Sequence, residues 1–151
     1  MKLTPKKINL FTMMKLPAAW FCGVRLKEIS EQAAKVTVRH RWINQNPFNS
    51  MYFAVQAMAA ELSTGALVMQ AIQNSNANIS MLVAENNAEF FKKATGKITF
   101  RCEDGKLIQK KITEAIQTGE GQTCWMKSVG HNGEGVKVAE FNFKWTVKKK
   151  G

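Results

Sequence analysis

Residues 46–65 read Asn46-Pro-Phe-Asn-Ser-Met-Tyr-Phe-Ala-Val-Gln-Ala-Met-Ala-Ala-Glu61-Leu-Ser-Thr-Gly65. The stretch opens with Asn46-Pro47 and Asn49-Ser50, which are turn and N-cap residues. It then runs apolar for most of its length and holds one acid, Glu61. The pattern continues through Ala66-Leu67-Val68-Met69 to about Gln73. At ~1.5 Å per residue such a helix is ~35 Å long, enough to cross a small domain. It is apolar on nearly every side, so it is expected to be covered rather than to lie on a surface. A carboxylate in its middle costs free energy unless it is paired, protonated or used.

The chain has 151 residues, a length that suits one domain with a substantial core. Residues 1–20 read as an N-terminal helical extension, starting at Thr4-Pro5 with Ile8 and Phe11 on one side, and 148–151 as a frayed tail. The formal net charge of +11 admits nucleic acid, an anionic membrane surface or a phosphorylated ligand, beside the bland reading of a solvated basic surface. Cys22, Cys102 and Cys124 are odd in number and widely spaced, with no paired-cysteine motif. That argues against a metal site and fits a reducing cytoplasm. The run Met51–Met69 is long enough for a membrane span, but Glu61 at its centre would cost roughly 2.5 kcal/mol or more there, so no span is expected. Basic stretches do not interleave with exposed aromatics, so no specific nucleic-acid binding is expected.

Strands are expected over Phe21–Ser30, with Cys22, Val24 and Leu26 alternating, and from Ala34 to Trp42, with His40 and Trp42 on the apolar face. After the long helix, Ile79–Phe91 reads as a strand with Leu82, Ala84, Ala88 and Phe90 on one face. Asn86-Asn87 within it mark a bulge or a pocket lining. Lys97–Glu103 is a further strand. Asp104 starts an amphipathic helix through Ile108, Ile112, Ala115 and Ile116. Gln122–Val129 and Val136–Val147 form a final hairpin, with Ala139, Phe141, Phe143, Trp145 and Val147 on one face. Short connections favour an antiparallel sheet of about six strands, an α+β arrangement around one long helix with short extra helices. One sheet covers that helix on one side only, which predicts a second copy of the chain or the short helices on the other.

Asn46-Pro47, Ser50-Met51, Ala57, Ala60-Glu61-Leu62 and Gly65, with Ala88-Glu89-Phe90-Phe91 and the last hairpin, resemble the thioesterase-like domain of unknown function 4442 family, which has the hotdog fold. The resemblance covers the chain from about Phe21 on. It implies a sheet wrapped around the central helix, a homodimer or dimer of dimers, and a site shared between subunits. In the wider superfamily an acid on the central helix attacks an acyl thioester or activates water, and a backbone N–H near the helix start holds the oxyanion. Glu61 matches the acid, Phe53 the residue that supplies the N–H, Tyr52 a His before it, and Asn46 an Asn at the loop start. Phe53-Ala54 replaces Gly-Gly, which places a bulky side chain where the thioester approaches. Val55–Ala59 is similar to a segment of hotdog hydroxyacyl-carrier dehydratases, but Gln56 in place of Glu, and no His in the preceding loop, argue against dehydration.

The chemistry follows from the residues as well. First-turn N–H groups near Met51–Phe53 are orphan donors at a positive dipole end and suit a developing oxyanion. Burial would raise the pKa of Glu61 towards that of a base at neutral pH. Phe53 and Glu61 are ~12 Å apart along one helix, too far for one thioester carbon, so two side-by-side helices are expected to bring one chain's Glu61 to the other's helix start. Tyr52, Gln56, Thr64, Asn87, Lys92 and Lys93 are the candidate substrate-binding residues, the two lysines for the nucleotide phosphates of coenzyme A. No cofactor is expected beyond coenzyme A as part of the substrate. His40 reads as a satisfied core histidine and His131 as a solvated turn residue. Three readings stand: an acyl-CoA thioesterase-like hydrolase, a non-enzymatic acyl-CoA or fatty-acid binding protein on the same fold, and a basic protein binding nucleic acid or a membrane surface.

Overall fold

The computed structural model describes residues 2–151. Its long central helix, α3, spans Phe53–Ser75, ~35 Å at the usual rise. Earlier in the chain come α1 (Pro5–Lys15), α2 (Pro17–Phe21), β1 (Arg25–Ile29) and β2 (Ala34–Arg39); after it come β3 (Ile79–Phe90), β4 (Lys97–Cys102), α4 (Gly105–Thr118), β5 (Gln122–His131) and β6 (Lys137–Lys149). The six strands make one sheet in the order β1-β2-β4-β5-β6-β3. Every pairing is antiparallel. The sheet wraps α3, as the hotdog arrangement requires.

The core sits between α3 and the inner sheet face. Val36, Val38, Ile98, Phe100, Phe141 and Trp145 face the helix and are buried, as are Ala59, Ala60, Ala66, Leu67 and Val68 on it. Gly65 lies on the side of the helix that meets Trp145 of β6. A Cβ there would stand 3.3 Å from Trp145 Cζ2 and 3.7 Å from Glu61 Oε1, so the missing side chain makes room for both. The Trp145 indole N–H donates to Thr64 Oγ1 at 2.9 Å. The apolar face read in the last strand is the buried face of β6, and Ile108, Ile112 and Ala115 are the buried stripe of α4.

Several local expectations are corrected. Phe21 and Cys22 are not in a strand: Pro17 opens the short helix α2, and the chain turns at Gly23 (φ +90°) before β1 begins. On α1 the buried pair is Ile8 and Thr12, whereas Phe11 is exposed. Strand β2 stops at Arg39, and Trp42 is 82% exposed in a short 3₁₀ turn, Trp42–Asn44. The cause is Asn44, whose amide donates to the Arg39 and Cys22 carbonyls at 2.8 and 3.0 Å and accepts from the Arg41 N–H at 2.8 Å. These bonds compete with the sheet ladder and pull the chain out of it. His40 Nε2 is buried with no hydrogen-bond partner among the described residues, rather than satisfied.

In β3 the register shifts between Val83 and Glu85. The bulge therefore falls at Ala84 rather than at Asn86-Asn87, and it sets Asn86, Ala88 and Phe90 on the same sheet face as Met81 and Val83. Leu82 is consequently exposed. Ser50 does not cap α3. The N-cap residue is Tyr52, without a side-chain bond, while Ser50 bonds to Asn46. Asp104 is the N-cap residue of α4 but spends its carboxylate on the Lys127 N–H of β5 at 2.8 Å. The expected frayed end is paired as far as Lys149, opposite Ile79, and Lys150 N–H donates to Asn78. No helix among the described residues is long and apolar enough to cross a membrane.

Candidate active site

Residues 46–52 deliver the chain to the start of α3. Asn46 Oδ1 accepts from the Phe48 and Ser50 N–H groups at 2.9 and 3.2 Å, and Nδ2 donates to Ser50 Oγ and the Met51 carbonyl. Asn49 supplies the left-handed residue (φ 59°) this tight loop needs. The Tyr52 N–H donates to the Asn44 carbonyl at 2.9 Å, and the Tyr52 carbonyl accepts the first helical bonds, from Val55 and Gln56. The N–H groups of Phe53 and Ala54 carry no hydrogen bond among the described residues. Two free donors thus stand at the positive end of a 23-residue helix.

A groove of about 480 Å³ opens over this helix start. It brings together six of the expected residues, Asn46, Tyr52, Phe53, Gln56, Lys92 and Lys93, and adds Phe48 and Phe90 as walls. Gln56 is buried; its Nε2 donates to the Met51 carbonyl at 3.4 Å and its Oε1 has no partner among the described residues. Phe53 does not turn into the core. Its ring is 55% exposed and packs edge-to-face on Tyr52 and Phe90, at 5.1 and 6.4 Å between centroids. Lys93 Nζ donates to the Phe48 carbonyl at 3.3 Å, so it helps to fix the loop.

Glu61 lies elsewhere. It faces a separate cavity of about 280 Å³ formed by Leu16, Pro17, Ala18 and Ala19 with Met58 and Leu62, and Lys15 at the rim. Burial raises the Glu61 pKa above the ordinary carboxylate range. Its carboxylate makes no hydrogen bond or ion pair among the described residues. The segment joining α1 to α2 therefore builds the apolar wall that desolvates the acid. Pro17 is the sequence signal for that short helix, but nothing in its spacing points to Glu61. Ala54, Ala57, Met58 and Glu61 form one half-buried ridge of α3, at the i, i+3, i+4, i+7 spacing of a single helix face.

The remaining two candidates join neither cavity. Thr64 is fully buried, donates to the Glu61 carbonyl at 2.9 Å and accepts from Trp145. Asn87 lies on the outer sheet face, where its Oδ1 accepts from Asn142 Nδ2 at 3.0 Å.

Comparison with solved structures gives the same fold. A Pseudomonas aeruginosa protein of unknown function, designated Probable Thioesterase, superposes with a TM-score of 0.86 at 22% identity over 99% of each chain. A Chlorobaculum tepidum protein of unknown function gives a TM-score of 0.83 at 18% identity, again over 99% of each chain. A Haemophilus influenzae thioesterase gives 0.75 at 14% identity, over 99% of this chain and 93% of its own. No curated protein matches the chain. The family model named Domain of unknown function (DUF4442) matches residues 5–147, and the chain belongs to that family.

Proposed function

We propose that the protein hydrolyses an acyl thioester, with acyl-CoA as the substrate, at a site completed by a second copy of the chain. The observation that carries this reading is Glu61: the one acid on α3, desolvated, with an unengaged carboxylate and a raised pKa. Desolvation shifts such a group in the direction that a general base for neutral pH requires. It takes a proton from water, the resulting hydroxide attacks the thioester carbon, and the C–S bond breaks to leave a thiolate that is then protonated. Alternatively the carboxylate attacks the carbon itself and the C–S bond breaks, expelling the thiolate, which is then protonated; water hydrolyses the resulting anhydride to the free acid and the regenerated carboxylate. In both routes the carbonyl oxygen becomes an oxyanion, for which the free Phe53 and Ala54 N–H groups are suitable donors.

Glu61 and the helix start belong to different cavities, so the partner subunit is proposed to bring its helix start to Glu61. Two features support this arrangement. The twelve-residue β3 is an edge strand paired only with β6, and an open edge of that length favours pairing with another chain. The ridge at Ala54, Ala57 and Met58 and the half-exposed Phe53 and Phe90 are the apolar surface beside it. Lys92 and Lys93 at the groove rim would meet the phosphates of coenzyme A. Three free cysteines favour a reducing, cytoplasmic setting.

One observation favours the second reading, an acyl-ligand binding protein without turnover: the Phe53 ring stands beside the groove, braced by Tyr52 and Phe90, instead of leaving the helix start open. Free thiol release from acyl-CoA esters of graded chain length tests both. Hydrolysis of at least one ester supports the hydrolase. Saturable binding without release across the series supports the binding protein.

A further inference from the structure

A second built feature lies on the other side of the sheet. Arg25, Lys27, Arg39, Arg41 and Lys97 surround a pocket of about 250 Å³, whose remaining lining is Gly23, Thr37 and Val38. The strand register sets Arg25 opposite Thr37 and Arg39 opposite Lys97. By strand alternation these residues face away from the side on which Val36 and Ile98 pack under α3. The pocket is therefore distinct from the groove at the helix start and from the Glu61 cavity.

No acid lines it, and none of its five cations joins an ion pair among the described residues. A solvated basic face usually carries mobile side chains with acids interspersed. Here one of the cations is fixed, and a second lies beside it. The Arg25 guanidinium lies 3.4 Å from the Trp20 ring centroid and donates from Nη1 to the Trp20 and Val24 carbonyls at 2.9 Å each. The Arg41 guanidinium rests on Gly23, where any Cβ would collide with it and where φ is +90°. The backbone angle at that position favours glycine, and the absent side chain leaves the space that the guanidinium occupies. Burial first, and then the charge of Arg41, lower the Arg25 pKa. Two guanidiniums held together without a carboxylate repel each other, and an anion between them would relieve that repulsion.

We infer that this pocket binds a compact phosphate-bearing ligand, with Arg25 and Arg41 taking phosphoryl oxygens and Lys27, Arg39 and Lys97 closing the charge around it. Guanidinium forks match phosphate geometry, and several of them give specificity as well as charge. The small volume suits a phosphate or pyrophosphate group rather than the length of a polymer. The same chemistry is offered by a free phosphorylated metabolite and by a phosphorylated lipid headgroup. The inference does not depend on thioester hydrolysis.

The test is calorimetric titration of the full chain with inorganic phosphate and with pyrophosphate. Wild type, Arg41→Ala, Lys97→Gln and, as a distant control, Lys149→Gln are compared, each checked for native circular dichroism. The expected result is that pyrophosphate binds more tightly than phosphate. Arg41→Ala weakens it about tenfold or more and Lys97→Gln less, while the control leaves it unchanged. Co-sedimentation with phosphatidylcholine vesicles, with and without a phosphoinositide, distinguishes the source. Retention that depends on the phosphoinositide and on Arg41 assigns the phosphate to a headgroup; pyrophosphate binding without retention assigns it to a free ligand. Pyrophosphate binding equal in all four proteins would overturn the site. So would a wild type that ignores millimolar pyrophosphate yet binds duplex DNA through Arg41 and Lys97, since the surface would then serve nucleic acid.

Discussion

Replacing Asn44 by Ala should destabilise the fold more than its short polar side chain implies. Asn44 is 1% exposed and makes three side-chain hydrogen bonds, all to backbone: to the carbonyls of Cys22 and Arg39 and from the Arg41 N–H. Alanine leaves three backbone groups without these partners, and a buried unsatisfied group costs roughly 1–3 kcal/mol. Allowing partial rescue by water, the expected loss is about 3 kcal/mol. That is a large part of a native stability of roughly 5–15 kcal/mol. For a domain of this size it corresponds to a fall in melting temperature of roughly 6–12 °C. The Asn44 carbonyl also accepts the Tyr52 N–H just before α3, so the helix start should loosen as well. Urea unfolding measures the loss, read as a lower midpoint at unchanged slope. Asn44→Asp should be at least as harmful, because it keeps an acceptor for Arg41 but sets a carboxylate against two carbonyls. A loss below ~1 kcal/mol in Asn44→Ala, or a fully stable Asn44→Asp, would refute this account of how β2 ends.

Glu61 is held above its ordinary pKa by burial, so between the unfolded value, ~4.3, and the raised folded value the native state binds more protons than the unfolded one. Stability should therefore fall as pH rises through that window, and Glu61→Gln should remove the fall, becoming the more stable protein at neutral pH; unfolding at a series of pH values checks this. Light scattering at micromolar concentration should give at least twice the chain mass, and a clean monomer would remove the shared-site mechanism. If the Phe53 ring obstructs the helix start, Phe53→Gly should raise turnover of long acyl esters while costing about 1 kcal/mol or more in stability from lost packing and backbone entropy. Turnover unchanged in that variant would show that the ring does not gate the groove.

The sheet and its central helix were legible because their signals are long. Nine residues of β6, Ala139 to Val147, alternate strictly, and α3 is apolar on nearly every side. The errors fall where one local contact overrides periodicity. Trp42 continued the β2 alternation on paper, but the Asn44 amide removes residues 40–44 from the ladder. Leu82 shared a face with Ala88 until a one-residue bulge moved it to the solvent side. The site divides in the same way. Residues close in sequence, Asn46 to Gln56, gather in one groove with Lys92 and Lys93. The wall around Glu61 comes from residues 15–19, some forty positions away, and periodicity carries no information about such contacts. The Arg25–Arg41 pocket escaped for the same reason, since three strands, β1, β2 and β4, assemble it with Gly23 and Arg41.

Glu61 is proposed as the group that drives thioester hydrolysis. The most direct measurement is steady-state turnover of acyl-CoA by wild type and Glu61→Gln, with calorimetric binding of a non-hydrolysable acyl-CoA thioether to both. The substitution keeps the shape of the side chain and removes its charge and basicity. The account predicts a fall in kcat of about 100-fold or more, with thioether affinity within about threefold of wild type. Undiminished turnover in Glu61→Gln would contradict it.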